Sequence, residues 1–345
     1  MSASESLSPY ASTFVAPTGP GDARPTALKV LEDNDAIGNW TGRAILVTGG
    51  TAGIGTETAR AFHKAGADVY FTARDEKKGA ATVEDIRKTS SGAGKVEFLL
   101  MDMDSLESVK SAAQTLLNLS NNKLNILINN AGIMGTPQST TKEGFERQFG
   151  VNHLAHYVLT ALLLPALAAT STPAFNSRVV TVSSSAHRFS PPVFDDVNLA
   201  APGAYEPYRA YGQSKTANIW LANYIDRAFG DAHGVRALSV HPGAIWSGLY
   251  SYADEALKEA WAGDAALMAK MQSPEQGAAT TVWAAAGKVW EGKGGRYLAE
   301  CQVAGPAGSM TALIDPGVAP HAYDPQGEDR LWELSGELTG VRVRL

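Results

Sequence analysis

The chain has 345 residues, 44% hydrophobic and 19% charged, with a formal net charge of −6. That content can bury a large core, and the acidic balance without any Lys/Arg run argues against a nucleic-acid surface. The single cysteine, Cys301, leaves no intramolecular disulfide framework and fits a reducing, cytoplasmic compartment.

Residues 1–24 are rich in Ser, Pro, Gly and Ala and read as a flexible N-terminal arm. They lack a basic stretch leading into an apolar run, so no signal peptide is expected. Residues 25–345 are expected to form one domain, in which Thr26 caps a short helix through "ALKVLEDN". A βα alternation follows. "RAILVTG" reads as a strand, "GTETARAFHKAG" as a helix closed by Gly66, "ADVYFTAR" as a strand and "GAATVEDIRKTS" as a helix. "KVEFLLMD" is a third strand, and "SLESVKSAAQTLLN" a helix capped by Ser105. "LNILINNAG", "SRVVTVSS" and "VRALSVHPG" complete six strands, separated by the helical stretches "EGFERQFGVNHLAHYVLTALLLPAL" and "YGQSKTANIWLANYIDRAFG". The greasy segment at 156–169 contains Pro165 and is too short to cross a bilayer, so no membrane span is expected. Continuous apolar strands alternating with helices predict an α/β fold. Its form is a single Rossmann-like, doubly wound parallel sheet with helices on both faces.

"LVTGGTAGIG" (46–55) places four glycines directly behind the first strand. In a doubly wound sheet this turn presents backbone N–H groups and a helix N-terminus to a pyrophosphate. Thr48-Gly49-x3-Gly53-Ile54-Gly55, "NNAG" at 129–132, Tyr211-x3-Lys215 and "HPG" at 241–243 then appear in order. Together these motifs resemble the short-chain dehydrogenase/reductase family of the classical kind, over about residues 40–300. "ARDEKKG", "SSSAH" and "AYGQSKTANI" are similar to its retinol-dehydrogenase and WW-domain-oxidoreductase branch, as are "GAATTVWAA", "GGRYL" and "LWELSGELTG" near the C-terminus.

The chemistry also follows from the residues. Tyr211 and Lys215 are four apart on a helix and share a face about 6 Å apart. A phenol of pKa roughly 10 is a poor base at neutral pH, and a neighbouring ammonium lowers that value. Ser184, in "VVTVSSSAH", ends a strand where such sheets bind ligands, and a hydroxyl there can bond a carbonyl oxygen as it gains charge. The family pattern selects Ser184 over Ser183 and Ser185. By resemblance, Asn152 interrupts its helix and holds a water against the lysine. His153 and His156 lack a third ligand, so no metal is expected, and His187 and His241 read as pocket lining.

The resemblance assigns a nicotinamide dinucleotide to Gly49, Thr51, Gly53, Ile54, Gly55, Asn130, Ala131, Gly132, Tyr211, Lys215, Pro242, Gly243 and Ser247. Asp102 and Met103, ending the third strand, are assigned to the adenine side. Ala73 stands where an acid would mark NAD, and Arg74 can fork onto a 2′-phosphate, so NADP (NADPH) is preferred over NAD. Asp75 leaves the NAD alternative open. Aromatic side chains in a substrate loop at 186–210 and a lid at 245–271 suit a lipophilic small molecule. A retinoid, steroid, polyketide, terpenoid or other secondary metabolite would fit. The expected activity is NADP-dependent interconversion of a carbonyl and an alcohol. A catalytically silent dinucleotide sensor is the alternative, and a homodimer is left open.

Overall fold

In the computed structural model, which describes residues 6–345 except 312, 313 and 344, the apolar runs become strands buried along their length. The chain passes from α1 (Ala27–Asp33) through β1 (Ala44–Val47), α2 (Gly53–Lys64), β2 (Asp68–Ala73), α3 (Glu76–Ser90), β3 (Val96–Leu100) and α4 (Leu106–Leu119). It continues with β4 (Ile126–Asn129), α5 (Arg147–Phe149), α6 (Ala155–Thr170), β5 (Ser177–Val182), α7 (Pro207–His233) and β6 (Val235–His241). The last third holds α8 (Glu255–Gly263), α9 (Ala265–Lys270), α10 (Pro274–Gly277), α11 (Ala279–Ala286), β7 (Arg296–Ala299), β8 (Gln302–Val303) and α12 (Pro325–Thr339).

The sheet order is β3-β2-β1-β4-β5-β6-β7-β8, parallel except for β8. The order reverses between β1 and β4, and the carboxyl ends of strands at such a switch point open onto a ligand crevice. One apolar layer gathers Phe62, Val282, Trp283 and Trp290 on one face. The other gathers Val109, Leu116, Leu159, Leu163 and Leu221. This is the doubly wound α/β fold predicted from the strand and helix pattern. The helix starts also follow local chemistry, since Thr26 accepts from Lys29 N and Ser105 from Ser108 N.

Three regions differ from the sequence reading. No strand was expected after β6, yet β7 and β8 extend the sheet; runs of four and two residues are too short to stand out from their flanking turns. The helix expected from residue 143 begins at Arg147, because Glu146 caps it by accepting from Gln148 N and Phe149 N. It then runs through a π-helical turn at Gly150–Leu154 to Thr170 with Pro165 inside, so the apolar segment belongs to a 24-residue helical run long enough to cross a membrane. Its side chains are instead packed into the protein core, which explains a surface that is apolar on every side.

The third difference is the arm. Residues 1–5 lie outside the described residues, but residues 6–24 pack on the domain instead of hanging loose. Tyr10 is buried and donates to Asp33 Oδ2 at 2.9 Å. Gly21 N donates to Gln276 Oε1 at 2.9 Å, and Arg24 is buried. Isolated side chains, rather than any periodic pattern, anchor this segment.

Candidate active site

The glycine turn is shaped by backbone needs that side chains would violate. Gly49 and Gly53 have φ of +70° and +56°, a left-handed conformation that a Cβ disfavours. A Cβ on Gly55 would collide with Gly49 O, so α2 can start directly beneath the turn. Thr48 ties this turn to the "NNAG" segment: its hydroxyl accepts from Asn130 N at 2.8 Å and Ala131 N at 2.9 Å. Asn130 Nδ2 returns a bond to Thr48 O at 2.8 Å. Gly49 and Gly50 N–H groups are held by Thr72.

Across the crevice, α7 carries Tyr211 and Lys215, both 3% exposed. Ser184 follows β5, accepts from Ala186 N at 3.2 Å and lines the same cavity as Tyr211. Ser183 turns the other way and donates to Lys215 O at 2.8 Å. The Ser183 hydroxyl is thus engaged with the backbone of α7, whereas the Ser184 hydroxyl acts on the phenol and favours its ionised form. Burial is the largest influence on Tyr211 and pushes its phenol well above the usual range, against the lowering effect of the Ser184 hydroxyl. The lowering expected from Lys215 is not the outcome among the protein's own groups. Burial also brings Lys215 down to about 8. Its ammonium donates to Val182 O at 3.1 Å and lies 5.5 Å from the centre of the Tyr211 ring.

Asn152 sits on a π-helical turn, Gly150–Leu154, which interrupts the helix as the resemblance implies. Its Oδ1 accepts from Ile133 N, and its Nδ2 donates to Ile133 O and Ser214 Oγ, each at 2.9 Å. His156 is buried, and burial pulls it down to about 4, so its ring is neutral. Nδ1–H donates to Asn152 O at 2.8 Å, which leaves Nε2 to accept from the Thr48 hydroxyl at 2.9 Å. His156 thus links the helix interruption to the glycine turn. His153 instead meets Ser335 Oγ at 2.9 Å, so the two rings serve different partners. His187 accepts from Ala319 N at 3.0 Å and ties down the C-terminal segment, whereas His241 lines the crevice.

A cavity of about 580 Å³ joins these parts. It is lined by Gly49, Gly53, Ile54, Gly55, Asn130, Ala131, Gly132, Ser184, Tyr211, Lys215, Pro242, Gly243 and Ser247, so most predicted site residues face one cavity. Thr51 is off this lining, and Asn152 holds the backbone of Ile133, next to Gly132 of the lining. Arg74, Asp102 and Met103 lie away from the cavity, at the carboxyl ends of β2 and β3. Arg74 is exposed. Asp75 caps α3, accepting from Lys78 N at 2.8 Å. Lys142 and backbone bonds hold Asp102 below the usual carboxylate range against a larger opposing burial effect.

The residues present fit a dinucleotide. The glycines of the turn, the N-terminus of α2 and the Gly132 position, where a Cβ would lie 3.3 Å from Lys215 Nζ, leave room in this cavity. Of the loop aromatics, Phe189 and Tyr208 reach the cavity. Phe194 stacks on Trp220, and Tyr205 donates to Thr136 O at 2.7 Å. The lid contributes Trp246, Leu249, Tyr250, Trp261 and Leu267, whereas Leu257 and Met268 stay off the lining. Phe14, Val15, Pro17, Arg24 and Glu300 also line it, and sequence reasoning missed them. A lone Arg in a Pro/Gly-rich arm and an acid in a short turn carry no periodic signal.

This fold and this arrangement of Ser, Tyr and Lys facing a glycine turn define a dinucleotide-binding oxidoreductase of the doubly wound class. Residues 43–196 match the short chain dehydrogenase family model. The chain is 48% identical over 327 residues to short-chain dehydrogenase/reductase prx1 of Penicillium roqueforti, covering 94% of this chain and 93% of that one. It is 40% identical over 302 residues to polyprenol dehydrogenase of Mus musculus, covering 87% and 84%. The Pseudomonas aeruginosa RhlG/NADP active-site complex superposes with a TM-score of 0.59 at 27% identity, over 75% of this chain and 94% of that one. The protein belongs to the short-chain dehydrogenase/reductase family.

Proposed function

We propose that this oxidoreductase uses NADPH to interconvert a carbonyl and a primary or secondary alcohol on a lipophilic small molecule in the cytoplasm. The observation that carries the reading is that Ser184, Tyr211 and Lys215 line the same cavity as the glycine turn. A nicotinamide dinucleotide bound along that turn would supply the hydride. Ser184 would hold the substrate oxygen as negative charge develops. Tyr211, kept protonated by burial, would deliver the proton to that oxygen, and Lys215 would stabilise the phenolate left behind. Asn152 keeps the strand-end segment at Ile133 in place behind these groups.

NADP is preferred because Arg74 is exposed at the end of β2 while the Asp75 carboxylate is engaged as a helix cap. The apolar lid and loop side chains support a lipophilic substrate, as does likeness to a polyprenol dehydrogenase. The test is an assay of NADPH and NADH oxidation against a panel of lipophilic ketones, aldehydes and quinones. Turnover with NADPH supports the reading. Tight NADPH binding without turnover of any panel member would favour the silent-sensor alternative.

A further inference from the structure

We propose that residues 14–24 form a substrate-selecting wall of this cavity, held in place by Arg24; the inference rests on the carbonyl-reductase reading above. Phe14, Val15 and Pro17 line the same cavity as Ser184 and Tyr211, together with Trp261 and Leu267 of the lid. Phe14 also packs against the buried cluster containing Trp283 and Cys301. Three apolar side chains from a segment outside the sheet thus line the cavity that the carbonyl substrate must enter.

Arg24 explains why the segment stays there. Its guanidinium is 4% exposed, and a buried charge is tolerated only when it is paired and hydrogen-bonded. Nε meets Asp22 Oδ1 at 2.8 Å, Nη1 donates to Lys270 O at 2.8 Å, and Nη2 donates to Met271 O at 2.6 Å and Gly19 O at 3.1 Å. Gln276 adds a second tie, with Nε2 donating to Asp22 O at 3.2 Å and Arg24 O at 3.3 Å. Lys270 and Met271 are where the lid rejoins the core. Met271 bridges to Ala244, and Gln272 N donates to Ala244 O at 2.8 Å. Arg24 is therefore a positioning residue that fastens the arm to the exit end of the lid. The substrate class this wall admits is a carbonyl compound with a hydrocarbon part long enough to reach the arm.

The test uses the full chain and two ketones with the same reactive group, 2-pentanone and 2-tridecanone. The Phe14→Ala/Pro17→Ala double variant should lower the ratio of kcat/KM for the long ketone to that for the short one at least fivefold. The change should come through the long ketone's KM, with a smaller change in NADPH Kd. Val15→Asp, at a side chain 81% exposed, should shift the ratio in the same direction with no core packing at risk. Arg24→Ala should raise the long ketone's KM without a matching loss of kcat. An unchanged ratio in the first two variants overturns the inference. So does a larger change in NADPH Kd than in ketone KM, or an equal kcat loss on both ketones for Arg24→Ala. Binding of 2-tridecanone is also read directly from tryptophan fluorescence. Wild-type protein that binds both NADPH and the ketone but reduces neither ketone overturns the catalytic reading, while weaker ketone binding by the arm variants still upholds the wall and equal binding overturns it.

Discussion

Two regions meet at the cavity with opposite construction. Helix α7 buries Tyr211, Ser214, Lys215, Asn218 and Trp220; the Ser214, Lys215 and Asn218 side chains are met by Asn152 and Val182 O, and Ser183 bonds the Lys215 carbonyl. The lid helices α8 and α9 bury no residue, and each rests on an Asp cap. One region therefore holds the proposed reacting groups where burial can change their proton affinity. The other presents a replaceable apolar surface that exploits area and shape. The contrast predicts that changes on α7 reach the rate, whereas changes in the lid reach substrate affinity.

The sharpest test of that contrast is Tyr211→Phe. The ring and its packing remain while the proton carrier goes, so kcat should fall about 10²–10⁴-fold. NADPH Kd, measured by fluorescence titration, should change little. A variant with near-normal turnover would remove α7 from the chemistry. The next largest effect is on pH. Burial brings Lys215 from 10.5 to about 8, so the ammonium is present below that pH and lost as pH rises through it. Tyr211 stays protonated across the same range because its own value is pushed up. The kcat/KM for carbonyl reduction, which reports the free enzyme, should be level below pH 8 and fall roughly tenfold for each unit above it. A rate that rises through pH 8 would contradict this assignment.

Much of this was legible in the sequence, and the reason is local. The glycine turn, Tyr211 and Lys215 depend on spacings within one turn or one helix face, which the chain order displays directly. Six strands and their helices were legible because each apolar run is bounded by turn residues. What escaped was non-local. The contact of Arg24 with Lys270 and Met271 joins segments far apart in the chain, and nothing in "GDARP" announces a buried guanidinium. Glu300 reaches the cavity because β7 and β8 pair around it, and those strands were too short to read. The Tyr211 shift was misjudged for a related reason. Spacing shows the nearby lysine, but only packing shows how thoroughly the phenol is removed from water.

Arg74 lies between the two regions in expected effect. Its replacement by Ala should weaken NADPH by about 1.5–3 kcal/mol, the worth of hydrogen bonds to a charged group, and NADH far less. Competitive titrations of both cofactors measure this. Equal weakening of the two, or a native preference for NADH, would return the ribose contact to Asp75 and require it to leave its capping bond with Lys78 N.

The smallest effect should come from the lid. Trp261 lines the cavity and packs edge-on against Tyr250, which packs in turn against Trp246, so three aromatic rings form its inner surface. No polar atom of Trp261 is engaged in a bond that the reaction would need. Trp261→Ala should remove about 40 Å² of apolar contact with substrate, which at about 25 cal/mol per Å² amounts to about 1 kcal/mol, or roughly fivefold in KM. Because that contact is the same before and during the reaction, kcat should hold. Steady-state kinetics on one lipophilic ketone, with NADPH saturating, separates the two parameters. A fall in kcat as large as the rise in KM would mean that the lid also orders the groups on α7, and the division between the two regions would fail.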